Sequence, residues 1–235
     1  MTAYDSLIIQ ELKELSSQEK SYQLSSFFKT GKGDYAEKDI FWGVKAPEIR
    51  NIIKKYYKDI SLSQIQILLD SPVHEQRYAG LHCLVYKYSK TQENKKIIID
   101  FYLQNIHAIN NWDLVDTTAP HLLGAWSLDN RSTSINWKLA KSGELWKERI
   151  AIVSTLYYIK HNDFAITLEL AEYFLHHPHD LIQKAVGWML REVGKREEKI
   201  LIDFLDKYYK TMPRTMLRYA IERLSTEQKK YYMKK

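Results

Sequence analysis

A single cysteine, Cys83, in a chain of 235 residues leaves no partner for an intrachain disulfide and removes the disulfide-stapled class of extracellular domains. Cys83 lies in an apolar helical pattern, where a buried, inert thiol is expected. No apolar run approaches the roughly 18 residues of a membrane span. The opening Met-Thr-Ala-Tyr-Asp-Ser has no basic stretch ahead of an apolar one, so no secretory signal is expected. Metal chemistry is poorly served too. His176-His177-Pro178-His179 lacks both the i, i+4 spacing and the carboxylates of a zinc enzyme. Thr30-Gly31-Lys32-Gly33-Asp34-Tyr35 is the clearest loop, yet no strand precedes it and no Gly-Lys-Ser/Thr follows, so it is not a phosphate loop. No Ser/His/Asp or Cys/His arrangement stands out. No metal and no cofactor are expected, and the compartment expected is the reducing cytoplasm.

What the chain does have is helical periodicity. Apolar residues recur at three- and four-residue spacing almost throughout, and no run alternates with period two for long. Ser16 with Glu19, Ser61 with Gln64 and Ser225 with Gln228 read as capping boxes. Pro47, Pro72 and Pro213 stand where first helical turns would begin, and Asp163 and Asp180 read as N-caps. The expectation is an all-α protein of roughly a dozen helices joined by short turns. Landmarks at Pro72, Asn111, Gly143, Asp180 and Pro213 are 39, 32, 37 and 33 residues apart, a range that suits stacked two-helix repeats of the HEAT type in one domain over 1–235. An irregular helical bundle is the alternative, because no residue pattern recurs cleanly.

Charge is unevenly distributed. Residues 189–235 hold 13 Lys or Arg against 7 Asp or Glu, which equals the whole chain's surplus of six. A basic C-terminal third favours a polyanion such as nucleic acid, although a solvated tail explains the same count.

Three positions depart from their local pattern. In Trp112-Asp113-Leu114-Val115-Asp116, Trp112 and Asp116 are four apart, about 40° around a helix. They lie at the edge of a stripe running through Val115, Thr118, Ala119, Leu122 and Trp126. An indole beside a carboxylate suits a cationic group; a near-core Trp and an Asp completing a helix dipole suit the same positions. In a helix over 144–158, Arg149 falls in the middle of the face formed by Leu145, Ile152, Val153 and Leu156. A guanidinium there needs a partner, Asp116 or Asp113 being natural ones, in a site or in a purely structural bridge. In a helix over 180–193, Trp188 lies opposite the stripe of Ile182, Ala185, Val186, Met189 and Val193, on one side with Lys184, Arg191 and Lys195. Aromatic rings among cations suit nucleic acid; packing against a neighbouring helix is the other account.

These residues also carry a resemblance. Phe27-Phe28-Lys29-Thr30-Gly31 through Tyr35, Phe41-Trp42-Gly43-Val44 with Pro47-Glu48-Ile49-Arg50, the Trp112–Asp116 motif, Trp146-Lys147-Glu148-Arg149-Ile150-Ala151, and Ile182 to Glu192 follow one another as in the DNA alkylation repair family of AlkD-like alkylpurine DNA glycosylases. The resemblance implies HEAT-like repeats forming a curved α-solenoid that holds duplex DNA on a basic concave face. It implies hydrolysis of the N-glycosidic bond of N3- and N7-alkylated purines, such as 3-methyladenine and 7-methylguanine, in base excision repair. By motif, Asp116 matches the catalytic carboxylate, Trp112 and Trp188 the paired indoles, and Arg149 the active-site arginine. Lys184, Arg191, Lys195, Arg214 and Arg218 are the candidate DNA contacts, in a monomer that needs no membrane and joins the nucleoid when on DNA. Where some members carry a Tyr before the first loop, this chain has Phe27 and Phe28. Members that keep the fold with little activity make a non-catalytic DNA-binding or protein-scaffolding module the alternative.

Overall fold

A computed structural model describes residues 2–91 and 93–234, and those residues are all-α; their β-structure is limited to an isolated bridge between Ile40 and Val73. The chain forms two compact units, residues 1–114 and 115–235. Among the described residues no helix is long and apolar enough to cross a membrane.

The first unit contains helices Tyr4–Glu14, Gln18–Phe27, Ala46–Tyr56, Leu62–Leu69, His74–Lys90 and Lys95–Gln104. Ser61 and Gln64 close the reciprocal capping box expected of them, and Pro47 sits in the first turn of its helix. At Ser16 the expectation is off by one: Ser17 is the N-cap, its hydroxyl accepting from the Lys20 N–H, while the Ser16 hydroxyl donates to the Lys13 carbonyl. The helix His74–Lys90 is buried on most of its circumference, and Ile8, Leu12, Ile53, Ile65 and Leu68 form the core with its own Leu81 and Leu84. Cys83 is fully buried there, and burial pushes its thiol up to about 12, consistent with an inert side chain. Glu75 ties a loop to this scaffold. Its Oε1 accepts the N–H groups of Trp42, Gly43 and Val44 at 3.0, 2.8 and 3.2 Å, so a buried carboxylate is satisfied by three successive amides.

The second unit is built from Ser134–Ala140, Leu145–Ser154, Leu156–Lys160, Ala165–Tyr173, Asp180–Gly194, Glu198–Tyr208, Arg214–Ala220 and Thr226–Met233. Helix Trp112–Asp116 ends in it. The stripe from Val115 to Leu122 is buried as read from the sequence, but it does not lie on one continuous helix. Pro120 has no N–H to donate. The chain turns after Asp116 and widens into a π-helical turn over Pro120–Gly124, where the Gly124 N–H reaches the Ala119 carbonyl. The helix expected over 144–158 is likewise divided, at Thr155, whose hydroxyl bonds back to the Ile152 carbonyl. Nor is Asp180 an N-cap: it opens the helix, and His179 caps it by accepting the Leu181 N–H on Nδ1. Phe164 holds the N-cap position expected of Asp163, whose carboxylate still accepts the Ala165 N–H.

Helix Asp180–Gly194 packs most closely on Arg214–Ala220. A Cβ on Gly187 would stand 2.4 Å from the Met216 carbonyl oxygen and 2.5 Å from the Tyr219 Cβ, both backbone-anchored. Gly187→Ala is therefore expected to cost about 1–3 kcal/mol through overpacking, despite alanine's better helix propensity. A urea midpoint equal to the wild type's would show that the two helices separate without penalty.

Candidate active site

The candidate residues belong to both units. In the second, Asp116 and Arg149 form a bidentate pair: Arg149 Nε donates to Asp116 Oδ1 at 2.9 Å and Nη2 to Oδ2 at 2.8 Å. The remaining terminal nitrogen of Arg149 donates to the Leu181 carbonyl, at the start of helix Asp180–Gly194. Arg149 is thus satisfied in the middle of an apolar face, and a chain segment 33 residues away supplies its carboxylate. The Asp116 side chain keeps 16% of its surface and that of Arg149 only 6%. The pair is buried on the arginine side and reached by solvent on the carboxylate side.

Trp188 projects away from the stripe of Ile182, Ala185, Val186, Met189, Leu190 and Val193, all of which are fully buried. Its Nε1–H donates to Glu192 at 3.2 Å. The cations expected around it are engaged within the protein. Lys184 pairs with Asp180, Lys195 with Glu192, and Arg191 with Glu192 and Glu222. Arg214, half-buried, donates to the Met233 carbonyl, and Arg218 is exposed. The histidine cluster has structural work: His177 bonds Glu148 at 3.1 Å, and His179 is the cap already described. Among the described residues no group of three or more His, Cys, Asp or Glu is placed to hold a metal ion.

In the first unit, Trp112 closes an aromatic cluster. Phe27 meets its ring edge-on at 5.8 Å, and Phe28 lies 5.2 Å away at 33°. The indole N–H donates to the Tyr35 hydroxyl at 3.2 Å. The glycine-rich loop therefore carries Tyr35 to Trp112, and Gly33 provides the positive φ (83°) that its path requires. Phe27 is 63% exposed although it touches Trp112, which leaves an aromatic surface facing solvent.

Beneath these rings lies a charged network that sequence reading missed. His74 stands between two carboxylates, with Nε2 at 2.8 Å from Asp113 and Nδ1 at 3.3 Å from Asp39. Arg77 donates to Asp39 at 2.7 Å, to the side-chain amide oxygen Oδ1 of Asn110 at 3.0 Å and to the Ser71 backbone carbonyl. Asn110 returns an N–H to Asp39 at 2.6 Å. Burial alone would depress the His74 pKa. The Asp113 carboxylate and the bond to Asp39 outweigh it and raise the imidazole to about 9. Asp39 moves the opposite way: desolvation would raise it, but His74 and Arg77 bring it below the usual carboxylate range. A cavity of about 200 Å³ adjoins the network, lined by Phe28, Phe41, His74, Glu75, Tyr78 and Asp113 among others. Nothing local in the sequence announces this arrangement, because the side chains that bond one another in it are separated by 33 to 71 residues.

A model of the DNA alkylation repair enzyme family matches residues 8–224. The chain belongs to the DNA alkylation repair enzyme family. A solved structure described as a predicted DNA alkylation repair enzyme from Enterococcus faecalis has a TM-score of 0.72 and 18% identity, over 90% of this chain and 97% of that one. At that identity the likeness concerns the fold, the helical-repeat fold of the family. No curated protein matches the chain. Family membership makes DNA repair the setting in which the site is to be read.

Proposed function

We propose that this family member is a monofunctional DNA glycosylase that excises N3- and N7-alkylated purines from duplex DNA. The observation that carries the reading is the bidentate Arg149–Asp116 pair, a carboxylate locked in orientation yet still reached by solvent. An N3- or N7-alkylated purine already bears positive charge, so it leaves with little acid assistance. The C1′–N bond breaks with its electron pair passing to the base, whose charge is thereby neutralised. Positive charge develops on the deoxyribose as an oxocarbenium-like centre, which a fixed carboxylate stabilises. Water adds at C1′ and loses a proton, and the products are the free base and an abasic site. Asp116 stabilises the sugar cation and orients the water. Arg149 holds Asp116 in place. Trp188, in the same unit as Asp116, offers an indole face to the cation; Trp112, four residues before Asp116 on the same helix, is the other indole that the resemblance pairs with it. Lys184, Arg191, Lys195, Arg214 and Arg218 meet phosphates, the paired ones by exchanging an internal carboxylate for a DNA oxyanion. No step requires a metal or cofactor.

A second reading has its own support. Both Asp116 oxygens bond Arg149, and Lys184, Arg191 and Lys195 have carboxylate partners already. A non-catalytic DNA-binding or scaffolding module needs no more. The discriminating experiment incubates the protein with methylated duplex DNA and follows release of free 7-methylguanine and 3-methyladenine, with binding measured alongside over a salt series. Release establishes the glycosylase. Salt-dependent binding with no release leaves the module, and absence of binding removes both DNA-based readings.

A further inference from the structure

Helix Trp112–Asp116 is only five residues long, too short to hold its own orientation. Arg149 holds its last residue, Asp116; its N-terminal end is anchored separately. Asn111 Oδ1 accepts the Trp112 N–H at 2.8 Å, and Asp113 Oδ1 accepts the Leu114 N–H at 2.8 Å. The other oxygen of Asp113 faces His74 Nε2, and Asn110 is held by Asp39 and Arg77. With the Trp112 indole bonded to Tyr35, all four residues from Asn110 to Asp113 are thus bound through their side chains, two of them to the buried charged network. The groups facing His74 are Asp39 from the loop before Ile40, Asp113 from the short helix, and Arg77 from its own helix, with Glu75 and Tyr78 beside it around the cavity. Asp39 and Asp113 balance Arg77 and a protonated His74, so the tetrad is neutral only when the imidazole carries both protons. That form is also the one able to donate to both carboxylates, since a neutral ring has a single N–H.

We propose that His74 is a positioning residue for the start of the Trp112–Asp116 helix: as an imidazolium bridging Asp39 and Asp113, it fixes the first turn and hence the presentation of Trp112. The inference deepens the glycosylase reading and, for its catalytic consequence, rests on it. A neutral ring, or a side chain reaching only one carboxylate, leaves Asp113 facing a lone pair or an unpaired neighbour. The first turn then loosens while the rest of the unit retains its core.

The test uses two variants of the full chain. His74→Gln removes the bridge; Asp113→Asn retains the shape and leaves the contact between His74 and Asp39. Amide hydrogen exchange is read without DNA, and base release from methylated duplex is read with it. Both variants are expected to lose protection at Trp112 and Leu114 selectively, with exchange in Ile49–Ile53 and Leu81–Leu84 close to wild type. Base release is expected to fall about 10- to 100-fold in kcat, with KM within about threefold, as for misplacement rather than lost binding. A His74→Gln, Asp113→Asn double variant, in which two amides face each other, is expected to recover part of the protection. Uniform loss of protection throughout residues 2–114 in both single variants would reduce His74 to a general stability residue and overturn the proposal. Selective loss with unchanged kcat would overturn it as well. A wild type that releases no base sinks the glycosylase reading instead, and the exchange pattern then decides the positioning role alone.

Discussion

Asp116→Asn is expected to reduce base release by about 10²–10⁴-fold while leaving the fold and DNA affinity nearly intact. Asparagine retains the shape of the carboxylate and still accepts one hydrogen bond from Arg149, but it brings no negative charge to a developing sugar cation. The guanidinium it faces is 6% exposed, so some stability is lost with the charge; the loss is limited by the Leu181 carbonyl, which still accepts from Arg149. Arg149→Ala should separate differently. It leaves a partly buried carboxylate without its guanidinium and the Leu181 carbonyl without its donor, and breaking such a pair from one side costs about 3–5 kcal/mol. The measurements are base release and urea unfolding on both variants. If Asp116→Asn retains wild-type release, Asp116 is a structural partner of Arg149 and the site reading fails. If Arg149→Ala unfolds at the wild-type midpoint, the pair makes no net contribution to the second unit.

The second large effect is a loss of stability on the alkaline side of neutrality. His74 titrates at about 9 in the folded protein, against about 6.5 in an unfolded chain. A raised folded pKa means that its contribution is complete below the unfolded value and disappears as pH rises toward the folded one. Two and a half units correspond to roughly 3 kcal/mol, developed below about pH 6.5 and lost by about pH 9. The side chain is almost wholly buried, so solvent screening reduces this little. The check is the urea midpoint of the first unit, followed by hydrogen exchange of residues 74–88, from pH 6 to pH 9.5. A decline in the wild type that is absent from His74→Gln supports an imidazolium in the core. A flat wild-type profile would mean that His74 is neutral there and that the tetrad carries an uncompensated carboxylate.

Much of this molecule was legible from its residues. Periodicity of three and four, with Ser61–Gln64 and Ser225–Gln228 as caps, was enough for an all-α chain, because helix formation and capping act over a few consecutive residues. The same local geometry singled out Arg149 on an apolar face and Trp188 opposite one, and the structure places both accordingly. A buried guanidinium must be satisfied, so its need for a carboxylate could be read in advance; that Asp116 rather than Asp113 meets it could not. Errors arose where one residue changes the outcome: Ser17 rather than Ser16, His179 rather than Asp180, and helices divided at Thr155 and around Pro120. Adjacent polar residues compete for one cap on nearly equal terms, and packing chooses between them.

What only the tertiary structure decided is pairing at a distance. Asp39, His74, Arg77, Asn110 and Asp113 look like ordinary surface residues in a linear reading; the burial of the first three, with half-buried Asn110 and Asp113 bonded to them, is a property of the folded first unit. Tyr35 reaches Trp112 across 77 residues, and Glu75 gathers three amides from 31 to 33 residues away. The sequence by itself determined which segments are helical and which side chains could not be left without partners, since both follow from local periodicity and the cost of burying charge. The choice of partner depends on where the packed helices bring the chain, and no local pattern encodes that.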